Sequence, residues 1–296
     1  MAARIIDGKK VSEDIRAELK AKIAALAAAG VVPGLAVILV GEDPASVSYV
    51  TGKERSCAEL GIASLGRHLG ADASEAELIA LIESLNADPA VHGILVQIPM
   101  PAHLDERRVI NAIAPDKDMD GLTAANAGRL LLDEPGILPC TPAGVMELLR
   151  RSGVKTQGAD AVVVGRSNLV GKPVANLLAR RSSNATVTMC HTGTADLERR
   201  CREADILVSC VGSPGLIKAG WIKPGACVID VGVTRVEDAT KKKGYRLAGD
   251  VEYEAASEIA GWITPVPGGV GPMTVTMLLA NTVAAAEKAA ALGRAR

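Results

Sequence analysis

"VVVGRSNLVGKP", residues 162–173, joins an unbroken apolar run to a glycine-bounded turn and the opening of a helix. An apolar run without polar alternation fits a strand covered on both faces, as strands of parallel sheets are. Backbone N–H groups in the first turn of a helix lack intrahelical partners and carry the positive end of the helix dipole, so such a turn suits a phosphate. Gly165 and Gly171 permit the tight turn and a close approach of the backbone. The spacing is G-x-S-x-x-x-G, which approximates the G-x-G-x-x-G dinucleotide fingerprint without matching it. A Walker A loop is excluded, because five residues separate the glycines and Pro173 follows Lys172. A nucleophile elbow would need glycine where Leu169 stands. A purely structural strand-to-helix turn is the alternative on local grounds.

The same pattern extends on both sides. "DAVVVG", "ATVTMC", "DILVSCV" and "ACVIDVG" supply four strand candidates, with helical stretches between the first three. Thr141 and Pro142 read as N-cap and first residue of a helix closed by Gly153, so the chain enters this domain near residue 141. Upstream, Val11, Ile15, Leu19, Ile23 and Leu26 recur at helical spacing, and Gly30 supplies a stop. "LAVILV" (35–40) and "GILVQI" (93–98) read as buried strands. "PASVSYVTGKERSCAEL" between them reads as a helix, with Pro44 near its start and Gly61 past its end. Ser74 and Glu77 form a capping-box pattern before "LIALIESL". The expected class is α/β, with parallel sheets and right-handed crossovers in two domains, residues 1–140 and 141–273. A last helix, from about Thr274 to residue 296, is expected to return to the first domain, and "KKKGYR" (241–246) to form a solvated turn.

Composition excludes several function classes. A net charge of −1 leaves no global positive field to hold nucleic acid or an anionic membrane. The six cysteines form no C-x-x-C pair and several sit in apolar runs, which favours a reducing cytoplasm over a disulfide framework. The start "MAARIIDGKK" carries charge and has no apolar leader core. Residues 23–40 lack charge, but "GVVPG" interrupts them, so helix end, turn and strand fit better than a membrane span.

Candidate functional residues fall at element ends. Tyr49 and Lys53 lie four apart on a helix, hence on one face. Taken alone, that pair reads as an exposed helix surface. Gln97 sits at the carboxyl end of a strand, where open α/β sheets gather ligands, although it could equally satisfy loop backbone. The strand after the glycine turn ends "MCHTGT", with no carboxylate before Asp196. An acid there would repel the 2′-phosphate of NADP, whereas Arg166, His191 and Thr192 offer donors, so NADP is preferred over NAD. "PDKDMDG" (115–121) imitates the start of a calcium loop, but Ala127 stands where the decisive bidentate glutamate belongs. It reads as an acidic turn, or else Asp120 hydrogen-bonds a nitrogen-rich ring. The four histidines are dispersed and no zinc spacing occurs, so no metal is expected.

"YVTGK", "GILVQIPMP", "PDKDMDG", "VGRSNLVGKP", "VIDVG" and "TPVPGGVGPMT", in this order, resemble the bifunctional methylenetetrahydrofolate dehydrogenase/cyclohydrolase family from about residue 4 to residue 284. The resemblance implies NADP-dependent oxidation of 5,10-methylenetetrahydrofolate to the methenyl cation and hydrolysis of that cation to 10-formyltetrahydrofolate. It implies an N-terminal folate-binding domain and a Rossmann-like NADP-binding domain flanking a cleft, in a cytoplasmic homodimer with no nucleic-acid or membrane partner. Residue by residue, Lys53 matches the essential lysine, Tyr49 the ring-stacking tyrosine, Gln97 the glutamine that orients the lysine, and Asp120 the aspartate that holds the pterin. Val96, Ile98 and Pro267 to Gly269 (Pro267, Gly268, Gly269) fall on the folate side; Gly165, Arg166, Ser167, Thr192 and Val233 match cofactor contacts. A neutral amine at Lys53 would tolerate the cation better than an ammonium and could act as base for water attack. The rivals are a shikimate-dehydrogenase-like NADP oxidoreductase and a non-catalytic nucleotide and folate sensor.

Overall fold

The structure is a computed structural model that describes residues 2–241 and 244–294. In chain order, the first half comprises β1 (Arg4–Ile5), α1 (Gly8–Ala28), β2 (Gly34–Val40), α2 (Pro44–Leu60), β3 (Ala63–Ser64), β4 (Arg67–Leu69), α3 (Glu75–Ala87), β5 (Gly93–Val96), α4 (Glu106–Asn111) and α5 (Ala124–Leu131). There follow α6 (Cys140–Arg151), β6 (Asp160–Val164), α7 (Gly171–Ala179), β7 (Thr186–Cys190), α8 (Leu197–Glu203), β8 (Ile206–Ser209), β9 (Cys227–Asp230), β10 (Thr234–Glu237), β11 (Tyr245–Ala248), α9 (Tyr253–Ser257), β12 (Trp262–Ile263) and α10 (Gly271–Arg294). The chain forms two compact units, one of residues 14–140 with 275–296, the other of residues 1–13 with 141–274.

In the first unit β2 is buried along its whole length, as its unbroken apolar run requires. It pairs in parallel with β5 on one side and with β3 and β4 on the other. Local chemistry sets the helix ends. Asp43 accepts a hydrogen bond from the Ser46 amide at the start of α2, and Gly61 closes it in the left-handed region at φ 82°. Ser74 and Glu77 form the reciprocal capping box of α3. Ile38, Ile82, Leu85 and Ile94 belong to the core of this unit.

The second unit is built on a six-stranded parallel sheet in the order β1-β12-β9-β8-β6-β7, with a small antiparallel pair of β10 and β11. From β6 the chain passes to β7 on one side, then returns to β8, β9 and β12 on the other. The carboxyl ends of β6 and β8 therefore form a topological switch point, where ligands of such sheets bind.

Three expectations change. The first 13 residues join the second unit, because β1 pairs with β12 through Arg4–Trp262 and Ile5–Ile263. α6 begins at Cys140, so Thr141 is inside the helix rather than its cap, with its hydroxyl bonded to that of Thr274 at 2.8 Å. The strand expected over 93–98 stops at Val96, although the Gln97 amide still donates to Ile38 O. The turn expected at "KKKGYR" includes Lys242 and Lys243, which lie outside the described residues. Residues 23–40 form helix end, turn and strand, as their glycine and proline suggest. By length and composition alone, residues 271–292 of α10 could cross a membrane. A third of that stretch is buried inside the protein, Leu278, Leu279, Val283 and Ala286 among it.

Candidate active site

The first unit carries Tyr49, Lys53, Val96, Gln97, Ile98 and Asp120. Its sheet also has a switch point, between β2, which leads into α2, and β5. Lys53 comes from the third turn of α2 and Gln97 from the residue after β5, so the two approach across that point. The half-buried Lys53 Nζ donates to Gln97 Oε1 at 3.0 Å. The other end of the same amide donates through Nε2 to the Ile98 carbonyl. With its nitrogen committed to backbone, Gln97 can present only oxygen to the lysine. Tyr49, one turn earlier on α2, is 65% exposed, an open ring in a chain with just three tyrosines.

Asp120 feels both burial and charge. Burial raises its carboxyl above the ordinary carboxylate value, and the positive charge of Lys53 pulls in the opposite sense. The backbone beside it is pinned. The Cys140 thiol and the Asn281 amide both donate to the Met119 carbonyl, at 3.2 and 2.9 Å. The acidic segment divides its labour in a way the sequence did not disclose. Asp118 is the buried member, its carboxylate accepting from the Leu122 and Thr123 amides and from Asn126 Nδ2. Asp116 pairs with Lys288 and Arg129 at the surface. Asp120 lies where the charge of Lys53 acts on its carboxyl, and no group of acids, histidines or cysteines suited to a metal occurs among the described residues.

The second unit carries Gly165, Arg166, Ser167, Thr192, Val233 and Pro267 to Gly269. Gly165 turns at φ 122°, and a Cβ there would lie 2.6 Å from Cys210 Sγ and 2.7 Å from its carbonyl. A Cβ on Gly171 would stand 2.3 Å from the Gly165 carbonyl. Neither position admits a side chain, so the turn folds flat on the strand ends and leaves its outer face to a ligand. Ser167 Oγ accepts from the Val170 and Gly171 amides at 3.1 and 3.2 Å, which orders the turn and leaves its own proton to donate outward. Arg166 and Thr192 are exposed after the adjacent ends of β6 and β7. His191 Nδ1 accepts from the Gly193 amide at 3.0 Å, so a neutral ring carries its proton on Nε2. Asp196, the first acid past β7, caps α8 and pairs with Arg199. This edge therefore has room and donors for a phosphorylated ribose.

Gly268 turns at φ 111°, and its carbonyl accepts from the Lys9 amide at 3.1 Å. A Cβ on Gly8 would fall 1.7 Å from the Gly269 carbonyl, so glycine is required there for the N-terminal segment to pass.

A model of the tetrahydrofolate dehydrogenase/cyclohydrolase catalytic domain matches residues 6–120, and one of the NAD(P)-binding domain of the same family matches residues 139–290. The bifunctional protein FolD of Moorella thermoacetica is 55% identical over 288 residues, covering 97% of this chain and all of that protein. The chain belongs to the tetrahydrofolate dehydrogenase/cyclohydrolase family. Among solved members, the Campylobacter jejuni bifunctional enzyme FolD superimposes with a TM-score of 0.92 at 44% identity, covering 97% of this chain and 99% of that one. The Trypanosoma brucei enzyme, solved with NADP cofactor and inhibitor, superimposes at 0.91 with 43% identity, covering 97% and 98%. Membership is carried by nearly the whole chain rather than by one motif.

Two polar features of this family member escaped the sequence reading. One is the Asn281 clamp on Met119. The other is a buried pair, Asp230 and Asp250, 3% and 0% exposed. A usable signal was present in "CVIDVG", where an acid closes an otherwise apolar strand, since carboxylates are rarely buried unless partnered.

Proposed function

We propose that the chain oxidises 5,10-methylenetetrahydrofolate with NADP⁺ and hydrolyses the resulting methenyl cation to 10-formyltetrahydrofolate, with Lys53 as its proton-handling group. Family membership along the chain supports both activities. The observation that carries the residue assignment is the bond from Lys53 to Gln97 Oε1 beside the Asp120 carboxyl.

Asp120 accepts from the pterin's amino and ring N–H groups, a two-point contact that fixes the ring in its plane. The exposed Tyr49 ring supplies a low-entropy platform against the pterin face. Val96, Ile98 and Pro267 to Gly269 line the folate side. Gly165 to Ser167 with Thr192 hold the phosphates and ribose, and Val233 packs on the cofactor. NADP⁺ held there would supply the hydride acceptor for the one-carbon bridge. In the second reaction water adds to the methenyl carbon, and the Lys53 amine, after giving up its own proton, takes the proton the water releases. That proton passes to N5 as the C–N5 bond breaks, and the new hydroxyl proton leaves as the formyl C=O forms. Gln97 Oε1 holds one lysine N–H and so directs the lone pair.

Support for NADP comes from the acid-free end of β7, the exposed Arg166, and the relative solved with that cofactor. Homodimeric assembly, cytoplasmic residence and the lack of nucleic-acid or membrane partners belong to the same reading, the last two supported by the net charge of −1. The deciding assay follows methenyl-folate absorbance with methylenetetrahydrofolate and NADP⁺, repeated with NAD⁺. We expect turnover with NADP⁺ and at least about ten-fold lower kcat/KM with NAD⁺, a loss of about 1.4 kcal/mol. No methenyl product with either cofactor would overturn the function; equal rates would overturn the preference.

A further inference from the structure

Asp250 accepts three hydrogen bonds: Oδ2 from Ser209 Oγ (3.0 Å) and the Val211 amide (2.9 Å), and Oδ1 from the Ser213 amide (2.8 Å). Asp230 accepts three more: Oδ1 from the Gly232 and Asp250 amides, both at 3.0 Å, and Oδ2 from the Val251 amide at 2.9 Å. The carboxylates lie tight against backbone. A Cβ on Gly232 would stand 2.2 Å from Asp250 Oδ1, and one on Gly249 would stand 2.0 Å from Asp230 Oδ2. Two buried neighbouring carboxyl groups are expensive, and a core side chain would fill the space more cheaply. Their partners indicate what the arrangement achieves.

Of the five amides they hold, those of Val211 and Ser213 lie in the loop after β8, that of Gly232 in the loop after β9, and those of Asp250 and Val251 in the segment after β11. The first of these loops touches the glycine turn after β6, since Gly165 closes on Cys210. Val211 and Val233 on these loops are 37% and 50% exposed, apolar side chains presented at the same strand-end edge. This edge is the switch point of the sheet, where a dinucleotide lies.

We propose that Asp250, buttressed by Asp230, is a positioning residue for the cofactor: it holds residues 211–213 in the shape that receives the dinucleotide and makes Val211 a further cofactor contact. This rests on the NADP reading above. Asp250→Asn keeps the size but replaces one acceptor oxygen with an NH₂ donor, so an amide now held by carboxylate must be released.

The test measures NADP⁺ Kd by calorimetry for the wild-type chain and Asp250→Asn, with methenyltetrahydrofolate hydrolysis, which consumes no dinucleotide, followed in parallel. We expect NADP⁺ Kd, and KM for NADP⁺ in the dehydrogenase reaction, to rise about ten-fold or more, with KM for methylenetetrahydrofolate within about two-fold. A general loss of structure would move both KM values and hydrolysis together. If Asp250→Asn fails to fold, Ser209→Ala, which removes one neutral donor, decides, with an expected rise of about three-fold. Unchanged Kd in the folded variant overturns the proposal and leaves the NADP reading intact. A wild-type chain that binds no NADP⁺ overturns that reading, and the proposal falls with it.

Discussion

The two polar centres of this enzyme are built on opposite plans. Around Lys53, the proposed proton-handling group, polar side chains are held lightly: one bond from the amine to Gln97, one from Gln97 to backbone, an open tyrosine ring one turn away. Around Gly165 the site is made of main chain, and its polar side chains work from beneath, with Asp230 and Asp250 buried and each accepting three hydrogen bonds. A group that moves protons needs partial solvation and few fixed partners, so its proton can come and go. A surface that recognises a phosphorylated ligand needs backbone donors in a fixed array, and fixing them takes buried acceptors.

Lys53→Met breaks the first plan most directly. Cyclohydrolase turnover is expected to fall at least about a hundred-fold, the usual scale for removing a general base, with unfolding stability little changed. A rate assay on methenyltetrahydrofolate checks this, and a variant with full hydrolysis would remove Lys53 from the mechanism. Gly165→Ala probes the second plan. The added methyl meets Cys210 at 2.6 Å from an unfavourable φ of 122°, so the loss of stability in urea unfolding is expected to be at least about 1–3 kcal/mol. NADP⁺ binding should weaken alongside it. An alanine variant with wild-type stability would mean the turn is not held against β8 as described.

The third prediction concerns pH. Burial pushes the Asp230 carboxyl up to about 6 from an ordinary 3.8, even though amide donors and the carboxylate form favour each other. Between those values the folded chain keeps a proton that the unfolded chain has released, so folded stability from this group falls as pH rises from about 4 to 6. Above that window the folded state bears the full cost, roughly 3 kcal/mol at most. Asp230→Asn removes the titration, so the stability gap between variant and wild type should shift across that interval. Urea unfolding at pH 4.5 and pH 7 measures it. A constant gap would show that Asp230 stays ionised throughout, its amide partners outweighing burial.

Sequence legibility followed the same division. Strands with continuous apolar runs and helices with capping chemistry could be read directly, as at "LAVILV", Ser74 with Glu77, and Gly61. β1 could not be, because two residues have no periodicity, and its pairing with β12 lies 258 positions away in register. β3 and β4 share one edge of β2 but are two and three residues long, with exposed or half-exposed side chains that give no apolar signal. The lysine and its partner were legible as residues, but the bond between α2 and the end of β5 depends on the crossover. Asp118 and Asp120 looked alike in "PDKDMDG"; the fold alone turns one toward amides and places the other where burial and the charge of Lys53 act on its carboxyl.

All six cysteines are free, and burial lifts every thiol above its usual range: Cys57 to about 11, and Cys201, Cys210 and Cys227 to about 12. At neutral pH the reactive anion of Cys57 is then about one part in ten thousand. Alkylating dyes and spin labels would pass these sulfurs by while the chain is folded. A single cysteine engineered onto an exposed helix face would therefore be addressable without first stripping the native ones, opening the protein to distance measurements in its wild-type background.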